Sequence, residues 1–435
     1  GKGRILRHRI KRKIFAFIPL LFLLLTATII MQILEQRGMI NSERPDDWVL
    51  APPVNWLHEE KTADGVWIRL EHGMLLTSRF PKKKPPDTLR IFITGGSFAM
   101  GSPVVVQQMV DPYGGISEWM RDELRLRYPR HNIEVINVGA GAQNSFRVVE
   151  IVKELVKLEP DIIFVMTGNN EGAMPRFKLN QELHKWVLYR VMKKELLSDP
   201  TLDERLYAEV VNSDAPLSET NMRKNLQQIV TLTGQRGITL LLAAMPINLK
   251  PDNEIVGWYE RKVEEMDQPI RHGRELQAQG KYAEAIEAYA QSQCLDFSTY
   301  FIAQCWEAMG DYVQAKNYYQ FNQTVNPGLR TQPSTNAMVR MFSRNEHVHL
   351  VDLEAVAERL SPHGIPGYNL FLDYCHMDQN GYYLMAQEAL RVLESDKLIP
   401  ASFGKPGPKP TMQEIIAHYG WTFNNRYDSP AETRP

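Results

Sequence analysis

Five short apolar runs constrain this chain more than any other feature: Leu89–Thr94 (LRIFIT), Ile133–Val138 (IEVINV), Asp161–Met166 (DIIFVM), Gly237–Met245 (GITLLLAAM) and His347–Leu353 (HVHLVDL). The first three are rich in β-branched residues and bounded by Gly or Asn, the signature of buried strands. Between them the period changes. Ile116, Trp119, Met120 and Leu124 share one helical face, and Val148, Val149, Val152, Leu155 and Val156 share another. Strand, helix, strand, helix, strand implies a parallel sheet covered by helices on its faces, so the fold class is α/β.

The 435 residues are 43% hydrophobic and 23% charged, which excludes a disordered chain or a polycation that coats nucleic acid. The near balance of 50 basic and 51 acidic residues hides an asymmetry. Residues 1–13 carry seven positive charges and no acid, leaving 43 basic against 51 acidic residues in the remainder. Directly after them, residues 14–34 (IFAFIPLLFLLLTATIIMQIL) contain no charge. A helix of that length matches a hydrocarbon core of about 30 Å. Glu35, Gln36 and Arg37 follow without a small-residue cleavage site, which favours an uncleaved anchor over a signal peptide. The basic flank predicts a single-pass protein of an inner (cytoplasmic) membrane, with a cytoplasmic N-terminus and a periplasmic or extracellular catalytic domain.

Residues 35–87 read as a stem with short edge strands, ending in the proline-rich Pro81–Pro86. Farther on, Ala278, Gly280, Lys281, Tyr282, Ala285 and Tyr289 recur as Ala308, Gly310, Asp311, Tyr312, Ala315 and Tyr319, aligned at an offset of 30. The small residues and tyrosines resemble tetratricopeptide repeats, with a shorter period than the usual one of about 34. They predict two antiparallel helical hairpins over 271–322 that lean on the sheet domain or on a protein partner. The stretch from Lys185 to Lys194 mixes aromatic, aliphatic and basic residues and suits an interfacial or lid helix as well as one packed on the core. The expected organisation is a basic flank (1–13), an anchor (14–34), a stem (35–87), an N-terminal core segment with a helical insertion (88–260), repeats (261–325), a C-terminal core segment (326–399) and a proline-rich tail (400–435) that wraps the surface. Three cysteines, Cys294, Cys305 and Cys375, fit neither a disulfide framework nor a zinc site. Cys294 and Cys305 are either an isolated bridge or two buried thiols.

Four segments carry chemistry. Thr94–Gly101 (TGGSFAMG) follows the first strand and puts Ser97 at its carboxyl end, where open parallel sheets bind ligands. Asn137–Ser145 (NVGAGAQNS) leads into a helix and offers outward N–H groups to a developing oxyanion, with Asn144 or Ser145 as N-cap. In Thr167–Gly172 (TGNNEG) an asparagine amide is placed to donate to the same oxyanion. Phe371–Met377 (FLDYCHM) sets Asp373 three residues before His376, a spacing that lets the carboxylate orient the imidazole. Each segment alone is also an ordinary turn.

Together and in this order the four segments resemble the consensus blocks of the SGNH (GDSL-like) hydrolase superfamily. The usual Gly-Asp-Ser stands here as Gly95-Gly96-Ser97, Gly-x-Asn-Asp as Gly168-Asn169-Asn170-Glu171, and Asp-x-x-His as Asp373-Tyr374-Cys375-His376. The resemblance covers residues 88–175 and 347–390. It extends to a membrane-anchored bacterial branch that inserts tetratricopeptide-like repeats before the last block. It implies a three-layer fold with a five-stranded parallel sheet, the catalytic residues Ser97, Asp373 and His376, and an oxyanion hole of Ser97, Ala142 and Asn170. Ala142 stands where the second block has glycine, and Gly96 where the first has aspartate. No metal or organic cofactor is implied.

The expected activity is that of a serine esterase or O-acyltransferase acting on ester-linked acyl groups, acetyl above all, of an exported glycan. Its partners would be that ester-bearing glycan or another acylated envelope substrate, the lipid bilayer through residues 14–34 and a protein at the repeats, with no nucleic acid. The competing expectation is a membrane-tethered interaction protein whose hydrolase core has low or lost activity.

Overall fold

The computed structural model describes residues 19, 22–35, 37, 39–40, 56–70, 78–105, 113–171, 186–196, 215–251, 267–325 and 330–422. The chain forms two units, one from residues 1–55 and 175–209, the other from 56–174 and 210–435. In the first unit residues 22–35 are helical and expose Phe22, Leu23, Ile29 and Ile30, and a second helix runs Val187–Leu196. Arg190 of that helix is buried in an ion pair with Glu35. The basic flank and residues 14–18, 20 and 21 of the expected anchor lie outside the described residues. Among the described residues no helix is long and apolar enough to cross a membrane.

The second unit opens with an antiparallel sheet of β1 (Leu57–Thr62), β2 (Gly65–Leu70) and β3 (Ser78–Pro81), with β2 in the middle. Pro81 closes β3 at a sheet edge, where a missing N–H breaks no ladder. Arg90 fastens this sheet to the core. Its buried guanidinium donates to the carbonyls of Pro81 and Leu158 and pairs with Glu134 at 2.6 Å.

The central sheet holds β4 (Thr88–Gly95), β5 (Asn132–Asn137), β6 (Ile162–Met166), β7 (Thr239–Ala244) and β8 (Val348–Asp352), all parallel, in the order β5-β4-β6-β7-β8. Strands β4 and β6 are buried along their whole length, as expected of strands sandwiched between helical layers. Leu89, Ile91 and Ile93 share a cluster with Trp119 and Met120 of the helix Ile116–Arg127 and with Met385 and Leu393 of the helix Gln379–Ser395. The helices Ser145–Leu155, Ala215–Gly234 and Pro333–Phe342 form a second packed layer. Because β5 and β6 leave β4 on opposite sides, a topological switch point opens at the carboxyl end of β4. Ser97 stands two residues beyond it.

Between β7 and the helix Pro333–Phe342, the described residues include the helices Gln268–Ala278, Tyr282–Tyr289, Leu295–Ala308 and Tyr312–Val325, arranged as two hairpins. The 30-residue repeat has a structural cause. Gly280 and Gly310 take φ of 74° and 82°, a region in which residues with a Cβ are strained. Ala285 and Ala315 are fully buried where helices approach. The Tyr289 hydroxyl donates to Gln277 at 2.6 Å, and Tyr319 donates to Glu307 at 2.8 Å, the same bond one repeat later. Ile247, Leu249 and Ile365 of the sheet unit join the hairpins' apolar cluster, so the pair leans on the sheet domain.

Of the two readings of Cys294 and Cys305, the thiols hold: no disulfide joins them, and burial pushes the Cys305 thiol up to about 11. One expectation needs correction. The tail beyond Pro400 does more than wrap the surface. A helix, Met412–Tyr419, starts at a capping box of Thr411 and Glu414 and sends Ile415 into the main core, while Trp421 packs edge-on against Trp119 at 4.5 Å. Residues 423–435 lie outside the described residues.

Candidate active site

Ser97 is the first residue of the short helix Ser97–Met100 that follows β4. Asn137, at the end of β5, holds that turn: its Nδ2 donates to the Ala99 carbonyl at 2.9 Å and to Ser117 Oγ at 2.8 Å. Buried Tyr382 donates to the Ser102 carbonyl from the other side at 2.5 Å. The nucleophile candidate therefore stands on a turn fixed by two separate elements.

The segment from Phe371 to Met377 is closed by a bridge between its ends and by Leu372 N–H donating to His376 O at 2.8 Å. Within it Asp373 Oδ1 accepts the N–H groups of Cys375 (2.9 Å) and His376 (2.7 Å). Asp373 Oδ2 lies 2.6 Å from His376 Nδ1, and His376 Nε2 lies 2.7 Å from Ser97 Oγ. Residues far apart in sequence, Ser97 and His376 being 279 positions from each other, thus form one hydrogen-bonded chain with Asp373. Burial by itself would raise the Asp373 carboxyl; the His376 ring and the two backbone N–H groups outweigh it and hold the carboxyl below its ordinary value. An ionised Asp373 fixes the tautomer that leaves Nε2 free to take a proton from serine.

On the other side of Ser97, Asn170 Nδ2 donates to the Gln143 carbonyl at 3.0 Å. Gly96 matters here: a Cβ on it would lie 2.6 Å from Asn170 Nδ2 and 3.2 Å from Gln143 O. The absence of a side chain at Gly96 therefore lets the Asn170 amide approach the turn that carries Ser97. Glu171 ties the third segment to the second, accepting Ser145 N–H at 2.9 Å, Thr167 Oγ1–H at 2.9 Å and Ser145 Oγ–H at 2.6 Å. Complete burial raises the Glu171 carboxyl despite these bonds. Asn144, not Ser145, is the N-cap of the helix Ser145–Leu155 and accepts from Arg147 N–H.

A tight crevice beside Ser97, with no room for a water molecule in this conformation, is lined by Gly96, Gln143, Met166, Gly168, Asn170 and Met245, among others. Ser97 and Asn170 line it; Ala142 stands one residue outside, with a left-handed φ of 57°. Among the described residues one group, Asp373, Cys375 and His376, brings potential metal-ligand atoms within 4.8 Å of one another. Both ring nitrogens of His376 are already engaged by Asp373 and Ser97, so an ion there would break the chain.

Sequence reasoning missed the groups that hold this chain from outside. Asn248, fully buried beyond β7, donates from Nδ2 to the Asp373 carbonyl at 2.9 Å and from its N–H to the Tyr374 carbonyl at 3.1 Å. Its place past a carboxyl strand end was the available signal.

No family model matches the chain, and no curated protein matches it. Solved structures resemble it distantly. They include a lipolytic G-D-S-L family protein from Veillonella parvula (12% identity, 70% of this chain and 98% of that one, TM-score 0.33). An acetyl xylan esterase shares 11% identity over 70% of this chain and 98% of its own, with a TM-score of 0.35. A psychrotrophic esterase from Pseudoalteromonas shares 10% over 72% and 98%, with a TM-score of 0.32.

Proposed function

We propose that the chain is a serine esterase or O-acyltransferase that cleaves short acyl esters through Ser97, His376 and Asp373. The observation that carries this reading is the continuous hydrogen-bonded chain from Asp373 through His376 to Ser97 at the carboxyl ends of parallel strands. In the proposed step His376 Nε2 takes the Ser97 proton as Oγ attacks the ester carbonyl, and Asp373 stabilises the imidazolium. The Ser97 N–H, the Asn170 amide and the Ala142 N–H would receive the oxyanion. His376 then protonates the departing alcohol, and water or a second hydroxyl, activated by the same ring, releases the acyl group.

Acetyl is the acyl group proposed. The seven positive charges and the uncharged stretch of residues 14–34 favour a membrane-anchored, extracytoplasmic protein and an ester-bearing exported glycan as substrate. The helical pairs are a candidate surface for a protein partner, in keeping with their likeness to tetratricopeptide repeats.

A fluorophosphonate probe on the purified protein tests the chemistry, with labelling expected in the wild type and absent in Ser97→Ala. Failure to label the folded wild type would leave the tethered interaction protein as the better reading. Protease applied to intact spheroplasts tests the side: if residues beyond Ile40 survive until lysis, the glycan assignment falls.

A further inference from the structure

The second helical hairpin reaches both halves of the site through neighbouring residues. Asn322 and Gln323, adjacent and buried on the helix Tyr312–Val325, each start a hydrogen-bonded path. On the first, Arg330 Nη1 donates to Asn322 Oδ1 at 3.1 Å, and Arg330 Nη2 donates to the Asn248 carbonyl at 3.4 Å. Asn248 then holds the carbonyls of Asp373 and Tyr374. On the second, Gln323 Nε2 donates to the Thr331 carbonyl, and Thr331 Oγ1 donates to Asn169 Oδ1, one residue before Asn170. Asn248, Asn322 and Thr331 are fully buried and Gln323 nearly so, which leaves little slack in either path.

From this juxtaposition we infer that the hairpin insertion is part of the catalytic frame, with Asn248 and Thr331 as positioning residues for the base and the oxyanion side respectively. The inference rests on the proposed serine chemistry. Asp373 sits in a tight turn, and its carboxylate has one productive orientation toward Nδ1. Releasing the Asp373 carbonyl that the Asn248 side-chain amide holds lets the turn rotate and pulls the imidazole off Ser97. Releasing Asn169 lets its neighbour Asn170 swing from the place where the oxyanion would form. Misplacements of about 1 Å cost catalysis on the order of 10²-fold, so looser tethering should cost less, about tenfold. A merely structural contact would lower stability and leave turnover per folded molecule unchanged.

The full chain carrying Thr331→Val, Thr331→Ser or Asn248→Ala would be assayed on p-nitrophenyl acetate, with thermal melting to verify folding. Thr331→Val is expected to lower kcat about tenfold with KM within about twofold, and Thr331→Ser, which keeps the hydroxyl, to restore most of it. Asn248→Ala should lower kcat similarly. It should also shift or broaden the low-field Nδ1 proton of His376 in the NMR spectrum, a signal Thr331→Val leaves in place. Wild-type kcat per folded molecule in both Thr331→Val and Asn248→Ala, with only the melting point reduced, overturns the inference. If the wild type reacts with neither ester nor fluorophosphonate, the hydrolase reading fails instead, and the imidazole signal still decides whether Asn248 positions the Asp373 turn.

Discussion

Replacing Gly96 with alanine isolates one term of the proposed mechanism. Gly96 has φ −77° and ψ −160°, extended backbone that alanine adopts without strain. The added methyl therefore acts only through what it touches, the Asn170 amide at 2.6 Å and the Gln143 carbonyl at 3.2 Å. Carbon contacts settle near 3.5–4.0 Å, so the amide must retreat by about 1 Å. Asn170 is buried and bonded to Gln143, so it cannot move without giving up that bond. Removing one oxyanion donor costs about 10²–10³ in kcat, roughly 2.7–4 kcal/mol. A displaced donor should cost somewhat less, on the order of 30- to 300-fold, with KM nearly unchanged because the ground-state ester gains little from it. The assay is kcat and KM on a short-chain ester for Gly96→Ala, Asn170→Ala and the double variant. If the methyl works by displacing Asn170, the double variant is no slower than Asn170→Ala alone. Multiplying losses, or normal turnover in Gly96→Ala, would refute the reasoning. Gly96→Asp, which restores the residue usual in the superfamily resembled, should be no faster than Gly96→Ala.

Asp373→Asn should lower kcat about 10⁴-fold, because an amide holds the histidine in the wrong tautomer. Its carboxyl titrates lower folded than unfolded, so wild type's stability advantage is full above about pH 3.9 and is lost as pH falls through the lowered folded value; urea melts across pH 2–6 check this. Glu171 has the opposite sign: burial raises its folded value, so wild type should lose stability relative to Glu171→Gln as pH rises from about 4.3 through that raised value. A stability difference that stays flat from pH 3 to 8 contradicts it. Ala142→Gly relieves a left-handed φ that costs an alanine about 1–2 kcal/mol and adds unfolded-state entropy worth about 0.4–1 kcal/mol, so the variant should be neutral to about 1 kcal/mol more stable in equilibrium unfolding. Gly273→Ala puts a Cβ 2.4 Å from the buried Tyr289 ring and should cost about 1–3 kcal/mol by overpacking; an unchanged melting point would show that the ring yields without cost.

Local signals carried much of this architecture. Strands β4 and β6 appear within a residue of their apolar runs because a strand buried on both faces writes itself as a continuous apolar, β-branched stretch. Asp373 and His376 were legible because three residues of separation place both on one turn. The hairpins were legible because close helix approach demands Ala, and the turn demands Gly, at fixed offsets. The helix Met412–Tyr419 was not, since the prolines before it outweighed a capping box that satisfies its first turn locally. Nor could the chain show that Ala142 takes a left-handed φ or that Gly96 abuts Asn170, because both depend on groups that only the folded sheet brings together.

The position of the insertion explains why its effects reach the site. It leaves the sheet at the carboxyl end of β7, the same end that presents Ser97, and the chain returns to β8 before reaching Asp373. Extra helices entering there must pack beside the catalytic turns or expose the apolar surface of Ile247, Leu249 and Ile365, all of which the hairpins cover. Once packed, their polar residues are buried, and each such group left unsatisfied would cost about 1–3 kcal/mol. Gln323 donates to the Thr331 carbonyl, and Asn322 accepts from the Arg330 that donates to the Asn248 carbonyl; Thr331 and Asn248 in turn bond Asn169 and the Asp373 carbonyl. Burial at this end of the sheet therefore links the packing of the hairpins to Asn248 and Thr331, and through their hydrogen bonds to the Asp373 carbonyl and to Asn169.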